Sequence, residues 1–557
     1  MTSSPLTHYR AGRVFTSDPD SPWAESLLVS ADGSLAFVGS TEQAEARGGV
    51  GRTVELDGRV VLPGFVEAHS HLVNLGRSLE QVDLLDAADL AEVQTRIAAA
   101  AAARPGAARI LGRSWLLEPL AGAQPHRSMI DAVVADRPVY LVSNDLHSGW
   151  VNTAALAELG VDRDTPDPEG GTIVRDADGE ATGLLLETAA LVLMRGGIEA
   201  LEDDAVRDAA VRRALESYRA AGTTAAADLG LRPAELAALE RAWPAGALAI
   251  PVAGYLRIET SSEARLVDEQ LRRAIDTRAR IAGSAEQRGE SDPMLRIQGV
   301  KLWVDGVIDS GTAAMLEPFS DGAHPGALWT REMLEAVVTA ADAAGMQVAM
   351  HAIGDAGVRL ALDAIEAARR ANARTGAGEG ARIAHRIEHL EVVEPGTAER
   401  LAELGVIASV QPVHSDPAVQ GAWRSRLGDG RVDRGYPWAE FDAAGAVIAL
   451  GTDAPTAPYA PLQNLYIAVT RRSPERPELP ANHPELRLAL ERALVAATRD
   501  AAAACGWGGT RGMLRAGRRA DFTVVDVDPF RDGVEALREA RPVLTVVGGA
   551  ESGGQAL

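Results

Sequence analysis

The chain has 557 residues, 46% hydrophobic and 24% charged, an ordinary globular mix with enough apolar material for a large core. Its net charge of −23 argues against nucleic acid and anionic membranes as partners, and its single cysteine, Cys505, excludes an intramolecular disulfide and a cysteine-based metal site. No apolar run approaches the ~18 residues of a membrane span, and no basic segment leads into a signal-like stretch, so the expectation is a soluble, cytoplasmic protein.

Residues 9–64 read as short alternating runs broken by turns, such as Ser26-Leu27-Leu28-Val29-Ser30 followed by Ala31-Asp32-Gly33 and Leu35-Ala36-Phe37-Val38-Gly39. That is the pattern of a small antiparallel sheet. Residues 80–215 are too long for one strand-to-helix connection and are expected to form a mostly helical insertion. Beyond them, short apolar strands alternate with alanine-rich stretches, which predicts a parallel α/β barrel. Its eight strands are expected to end near His69, Asp228, Tyr255, Trp303, His351, His389, Gln411 and Asp453, with helices over 331–344 and 357–373. Residues 374–380 read as a flexible loop. Strands return at 520–526 and 542–547. The two chain ends, 1–64 and 508–557, are therefore expected to build one composite β-sandwich domain around a barrel spanning 65–507.

The chemistry concentrates at the predicted strand ends. Val60-Val61-Leu62-Pro63-Gly64-Phe65-Val66-Glu67-Ala68-His69-Ser70-His71 delivers two histidines two residues apart, and in an extended chain both imidazoles face one side and can ligate one metal. His351, His389 and Asp453 each close an apolar run, and residues at barrel strand C-termini converge on one mouth. Lys301 is the only lysine in the chain; every other cation is arginine. Arginine supplies charge and hydrogen bonds but cannot be deprotonated at usable pH, so a lone lysine on a buried strand points to amine chemistry. The bland alternative is a stem packed in the core with its amine at the surface.

Taken together, Pro63-Gly64-Phe65-Val66-Glu67-Ala68-His69-Ser70-His71, Lys301-x-x-x-Asp305-Gly306, His351-Ala352-Ile353-Gly354-Asp355, Arg386-Ile387-Glu388-His389, Gly451-Thr452-Asp453-Ala454-Pro455 and Gly517-Arg518-Arg519-Ala520-Asp521 resemble the amidohydrolase superfamily, in its N-substituted formamide deformylase-like branch. Asp145-x-His147-x-x-Trp150-x-Asn152 is similar to that branch as well. Glu67 departs from the usual Asp, and Leu146 from a frequent Gly. The resemblance implies a distorted (β/α)8 TIM barrel with a large insertion after the first strand, and two divalent metal ions, with zinc the expected metal and a single ion the alternative. It implies that His69 and His71 hold the more buried ion with Asp453, and that His351 and His389 hold the second. Lys301, carboxylated by CO₂, would bridge the two as a carbamate, with a metal-bound hydroxide as nucleophile and Asp453 as proton acceptor and donor. His147, Trp150, Trp303 and His414 are candidate substrate contacts.

The reading is a metal-dependent hydrolase of an amide-type C–N bond in a small molecule, an N-substituted formamide or other N-acyl amine. The rivals are a lactone, ester or organophosphate hydrolase on the same metal centre, and a non-catalytic assembly protein of this fold. A homodimer is the assembly considered.

Overall fold

Eight short apolar runs form a single parallel sheet in the computed structural model, which describes residues 5–84, 87–143, 148–168, 170–198, 202–375 and 383–552. The strands are β1 (Phe65–Ser70), β2 (Thr223–Leu231), β3 (Val252–Arg257), β4 (Leu295–Trp303), β5 (Gln347–Ala352), β6 (Arg386–His389), β7 (Ile407–Val410) and β8 (Ile448–Leu450). They neighbour one another in chain order. Strands β1, β5, β6, β7 and β8 are buried at every position, which is why they read as continuous apolar runs rather than as alternating ones. The sheet closes through a parallel bridge between Ser70 and Ala454. Backbone bonds from Asp453 to His69, 2.7 Å, and from His71 to Ala454, 2.9 Å, reinforce that seam. The result is a (β/α)8 barrel, with helices such as Ala264–Gln287, Arg331–Ala343 and Asp355–Thr375 between successive strands.

The helix Arg331–Ala343 shows how the chain encodes these connections. Thr330 caps it by accepting from the Met333 amide, and Leu334, Val337, Val338 and Ala341 form its buried stripe at helical spacing.

Strands from both chain ends share a six-stranded sheet. Its order is Ala550–Ser552, Pro542–Val547, Phe522–Val525, Val60–Pro63, Arg13–Phe15 and Trp23–Ala24. A four-stranded sheet of Leu35–Gly39, Ser26–Val29, Leu6–Arg10 and Val50–Glu55 shares one apolar cluster with it, in which Tyr9 meets Phe522 edge-on at 4.9 Å. The N-terminal strands are not purely antiparallel as expected. Leu6–Arg10 runs parallel to Val50–Glu55, and Arg13–Phe15 parallel to Val60–Pro63. The crossovers that parallel pairing needs include the capped helix Thr41–Arg47.

Val73–Ala210 forms a separate compact unit. Besides the helices expected of this insertion, the unit holds a six-stranded mixed sheet containing Ile110–Trp115, Val139–Ser143, Ser148–Val151 and Ala181–Glu187. Its strands are short and lie among alanine-rich helical stretches such as Leu90–Ala103, so the helical signal dominated the sequence. Most of the predicted loop at 374–380 lies outside the described residues. Among the described residues no helix is long and apolar enough to cross a membrane.

Candidate metal centre

The strand ends of the barrel bring six ionisable side chains into one buried cluster. His69 is the penultimate residue of β1, and His71 comes directly after the strand's last residue, Ser70. Nε2 of His69 lies 3.4 Å, and Nε2 of His71 3.2 Å, from the same oxygen, Oδ1 of Asp453. The other carboxylate oxygen of Asp453 lies 3.6 Å from Nε2 of His414. His389 sits among them, its ring centroid 5.0 Å from His69, 4.4 Å from His351 and 5.6 Å from His414. Two sets of ligand-capable atoms result, each within 4.8 Å of one another: His69, His71 and Asp453, and His389, His414 and Asp453. Asp453 belongs to both.

Backbone turns make this convergence possible. Arg386 and Glu388 lie two residues apart on β6 and share a face, so a regular strand would send His389 the other way. His389 instead has φ of 77° and Leu390 φ of 51°. The left-handed turn lets adjacent residues face the same histidine: Glu388 Oε2 is 2.7 Å from His69 Nδ1, while the His389 ring packs against the His69 ring. Asp453 is likewise held at φ of 59°. A non-glycine residue in this region costs on the order of 1 kcal/mol or more, and such strain gathers at functional sites.

Partner groups orient the imidazoles. In a neutral imidazole one nitrogen carries the proton and the other a lone pair, and the shorter carboxylate or carbonyl contact marks the protonated one. His69 therefore donates from Nδ1 to Glu388 and His414 donates from Nδ1 to Glu391 at 3.2 Å, each leaving Nε2 as the lone-pair atom towards Asp453. His351 donates from Nε2 to the Gly306 carbonyl at 3.0 Å, which leaves Nδ1 free to coordinate. Glu388 is itself held by buried Arg386, which also reaches the Ala68 carbonyl and the Ser409 hydroxyl. Carboxylate–histidine pairs of this kind fix the tautomer and raise the basicity of a metal ligand.

Electrostatics favour neutral His69, His351 and His389 beside an ionised aspartate, whereas His71 and His414 are raised, burial being outweighed by Asp453 for His71 and by Glu391 and Asp453 for His414. Burial, helped by the charge of Lys301, pulls His69 down to about 4 and His351 to about 3. Burial and the neighbouring imidazoles His351 and His69 hold His389 well below its ordinary range. Burial pushes the carboxyl of Asp453 up, but the surrounding histidines outweigh it and hold it well below the carboxylate range. Lys301 is 1% exposed. Burial brings its ammonium down to about 8, close enough to neutrality for a free amine to react.

The residues fit a metal centre on three observations. The donor set is the histidine–carboxylate chemistry that zinc and similar ions take. Lys301 Nζ and His389 Nδ1 are buried with no hydrogen-bond partner among the described residues, and buried polar atoms are otherwise satisfied. Asp453 Oδ1 is likewise buried without a hydrogen-bond partner among the described residues, 3.4 and 3.2 Å from two imidazole nitrogens, a place that a shared positive ion would satisfy.

Other parts of the site brace it. Glu67 accepts from the His69 amide at 2.9 Å, the Thr452 amide at 2.8 Å and the Thr452 hydroxyl at 2.7 Å, tying β1 to the segment after β8. Gly451 is required there, since a Cβ would stand 2.6 Å from the His69 nitrogen. Asp305 accepts from the amides of Ala314, Ile353 and Gly354, fixing the turns after β4 and β5.

Trp303 shares a strand face with Lys301, whose nitrogen lies 5.3 Å from the indole centroid. His414 lies within the histidine–aspartate cluster, its Nε2 3.6 Å from Asp453. Trp150 is corrected: it is 1% exposed, packs edge-on against Trp115 within the core of the insertion and donates to the His126 carbonyl, leaving no face for a substrate. His147 lies outside the described residues. His385 bonds Asp342 and the Val348 amide, not the metal cluster. His8 is buried against Ser26. Arg471 is also buried, bonded to the carbonyls of Gly435, Tyr436 and Asn482. Glu391 and Gln411, the latter 3.2 Å from His69 Nδ1, had no role in the sequence pattern.

A family model described as "Amidohydrolase family" matches residues 52–551. The chain belongs to the amidohydrolase family. It is similar to Protein LONG AFTER FAR-RED 3 of Arabidopsis thaliana, 32% identical over 97% of this chain and 90% of that protein. It is also similar to an N-substituted formamide deformylase of Arthrobacter pascens, 28% identical over 96% of each. Among solved structures, an uncharacterized metal-dependent hydrolase from Pyrococcus furiosus aligns with a TM-score of 0.74 and 26% identity, over 94% of this chain and all of that one. This amidohydrolase-family chain is accordingly a metal-dependent hydrolase, and the histidine–aspartate cluster at its barrel mouth is its candidate active site.

Proposed function

We propose that this amidohydrolase-family enzyme cleaves the amide-type C–N bond of a small N-acyl amine, with N-substituted formamides as the first substrates to try. The observation that carries the reading is Asp453, whose two carboxylate oxygens face opposite halves of one histidine cluster. The formamide preference is suggested by the Arthrobacter pascens relative, which matches over almost the full length of both chains.

His69 and His71 would hold one divalent ion with Asp453, and His351 and His389 a second, with zinc the metal these donors favour. When bound, such ions lower the pKa of water towards ~7 and polarise a carbonyl oxygen. The rest falls to the chain. Asp453 is kept ionised by its neighbours, so it can take a proton at Oδ1 or Oδ2 and return it to the leaving nitrogen, as general base and then acid. Glu388 and Gly306 hold His69 and His351 in the tautomers that leave a lone pair free. Lys301 contributes its amine, which as a carbamate would become an anionic oxygen ligand between the ions and would neutralise a charge that is otherwise unpaired.

The test is turnover of a panel of N-formyl and longer N-acyl amines by metal-stripped protein before and after reloading with zinc. Release of free amine only by the reloaded protein supports the reading. Equal turnover by verified metal-free protein would sink it.

A further inference from the structure

We propose that His414 is itself a metal ligand, which together with His389 and Asp453 holds the second ion. This rests on the metal-dependent reading above and adds a residue to it.

His414 is delivered by a short turn, Pro412–Ser415, directly after β7. Its backbone is anchored rather than loose: the Tyr436 hydroxyl donates to the His414 carbonyl at 2.9 Å, and the Gln420 amide donates to the same oxygen. The ring is fixed from behind by Glu391, which is 6% exposed and accepts from Nδ1 at 3.2 Å. That is the same carboxylate–histidine arrangement that Glu388 makes with His69. It leaves the Nε2 lone pair pointing forward.

Nε2 faces the shared aspartate. It lies 3.6 Å from Oδ2 of Asp453. A lone-pair nitrogen and a carboxylate oxygen repel each other at that distance unless a positive charge sits between or beside them. The ligand atoms of His389, His414 and Asp453 all lie within 4.8 Å of one another, spacing a single ion can satisfy. The rings of His414 and His389 are nearly parallel, with 9° between planes and 5.6 Å between centroids. Asp453 then serves two triads, one oxygen towards His69 and His71 and the other towards His414. The competing arrangement has no ion here: His414 carries both ring protons and bridges Glu391 and Asp453 as an imidazolium.

The experiment uses the full chain, stripped of metal and titrated with Co²⁺ alone, with bound metal counted by elemental analysis and affinity measured by chelator competition. His414→Cys exchanges one ligand type for another. A cysteine that touches cobalt adds a thiolate-to-metal charge-transfer absorption, which the wild-type chain, with only buried Cys505, does not supply. We expect that absorption in His414→Cys, loss or marked weakening of one bound ion in His414→Ala, and a ~10–100-fold lower affinity in Glu391→Gln, as for other groups that orient a ligand histidine. Unchanged metal count and affinity in a folded His414→Ala protein, with no new absorption in His414→Cys, would overturn the inference and leave the imidazolium bridge. Should the alanine variant not fold, the cysteine absorption decides alone. A wild-type chain that binds no cobalt or zinc would instead overturn the metal-dependent reading itself, so the two failures are distinct.

Discussion

Glu388 accepts a hydrogen bond from His69 Nδ1 at 2.7 Å, with both side chains almost wholly buried. The contact spans 319 residues of sequence and fixes which nitrogen of His69 faces Asp453. Arg386 keeps Glu388 ionised by direct pairing, outweighing a burial penalty that acts the other way.

Glu388→Gln should therefore lower metal affinity ~10–100-fold while leaving the ligand set intact. Glutamine cannot offer the same anionic acceptor, and Arg386 loses its counter-charge. Chelator competition on the purified protein reads the effect. Wild-type affinity in this variant would show that the Glu388 charge does not tune His69 as a ligand.

The sequence made much of this centre legible, for a simple reason. Strands buried on both faces appear as unbroken apolar runs, and a polar residue at the end of such a run stands out, as His351 does after Gln347-Val348-Ala349-Met350. His69 and His71 were legible because strand period 2 puts them on one side. Glu388 was not, because in a regular strand it and His389 face apart, and only the positive φ of His389 brings both to His69. The burial of Arg471 was hidden too, since its partners are backbone carbonyls at Gly435, Tyr436 and Asn482, and carbonyls leave no trace in a residue pattern. The sheet of the insertion was masked by the helical composition around it.

Glu67 should matter for stability more than for chemistry. Its carboxylate satisfies three donors across the seam of the barrel. Glu67→Ala leaves them unpaired in a buried site, at a cost of at least about 2 kcal/mol. Thermal unfolding of the metal-free protein isolates this from metal binding, and an unchanged midpoint would show that the seam relaxes without the clamp.

The composite β domain carries a pH-dependent tie between the chain ends. Asp18 is held below the usual carboxylate range chiefly by its hydrogen bonds from Arg515, against a smaller opposing effect of burial. A carboxyl depressed in the folded state stabilises above its unfolded value of ~4, and that contribution is lost as pH falls through the folded value. Arg515 is 43% exposed, so solvent screening keeps the effect small. Asp18→Asn should unfold earlier than wild type at pH 7, with the gap closing below pH ~4. A gap that persists undiminished at pH 3 would place the effect in packing, not charge.

Asp453→Asn preserves size but removes a proton acceptor and an anionic ligand shared by both triads. Loss of general acid–base catalysis alone is worth ~10²–10⁴-fold in rate. Turnover should fall at least that far in protein reloaded with zinc, and bound metal should fall with it. Near-normal turnover would move the proton shuttle to another residue.

Lys301 separates two models of the centre cleanly. Its amine is buried without a hydrogen-bond partner, and a carbamate would give it both a charge and two oxygens to share. Arginine cannot form that carbamate and would set a cation beside two cations, so Lys301→Arg should damage activity nearly as much as Lys301→Ala. Acetate or propionate should partly rescue Lys301→Ala by occupying the vacated bridge, and native mass spectrometry of the loaded wild-type protein should show an extra ~44 Da that disappears on acid denaturation, when metal release frees the ligand. A lysine that merely packs its stem predicts the opposite order: Lys301→Arg is mild, acetate does nothing and no added mass is found. An active Lys301→Arg enzyme with a normal metal content would make this lysine a neighbour of the centre and not a member of it.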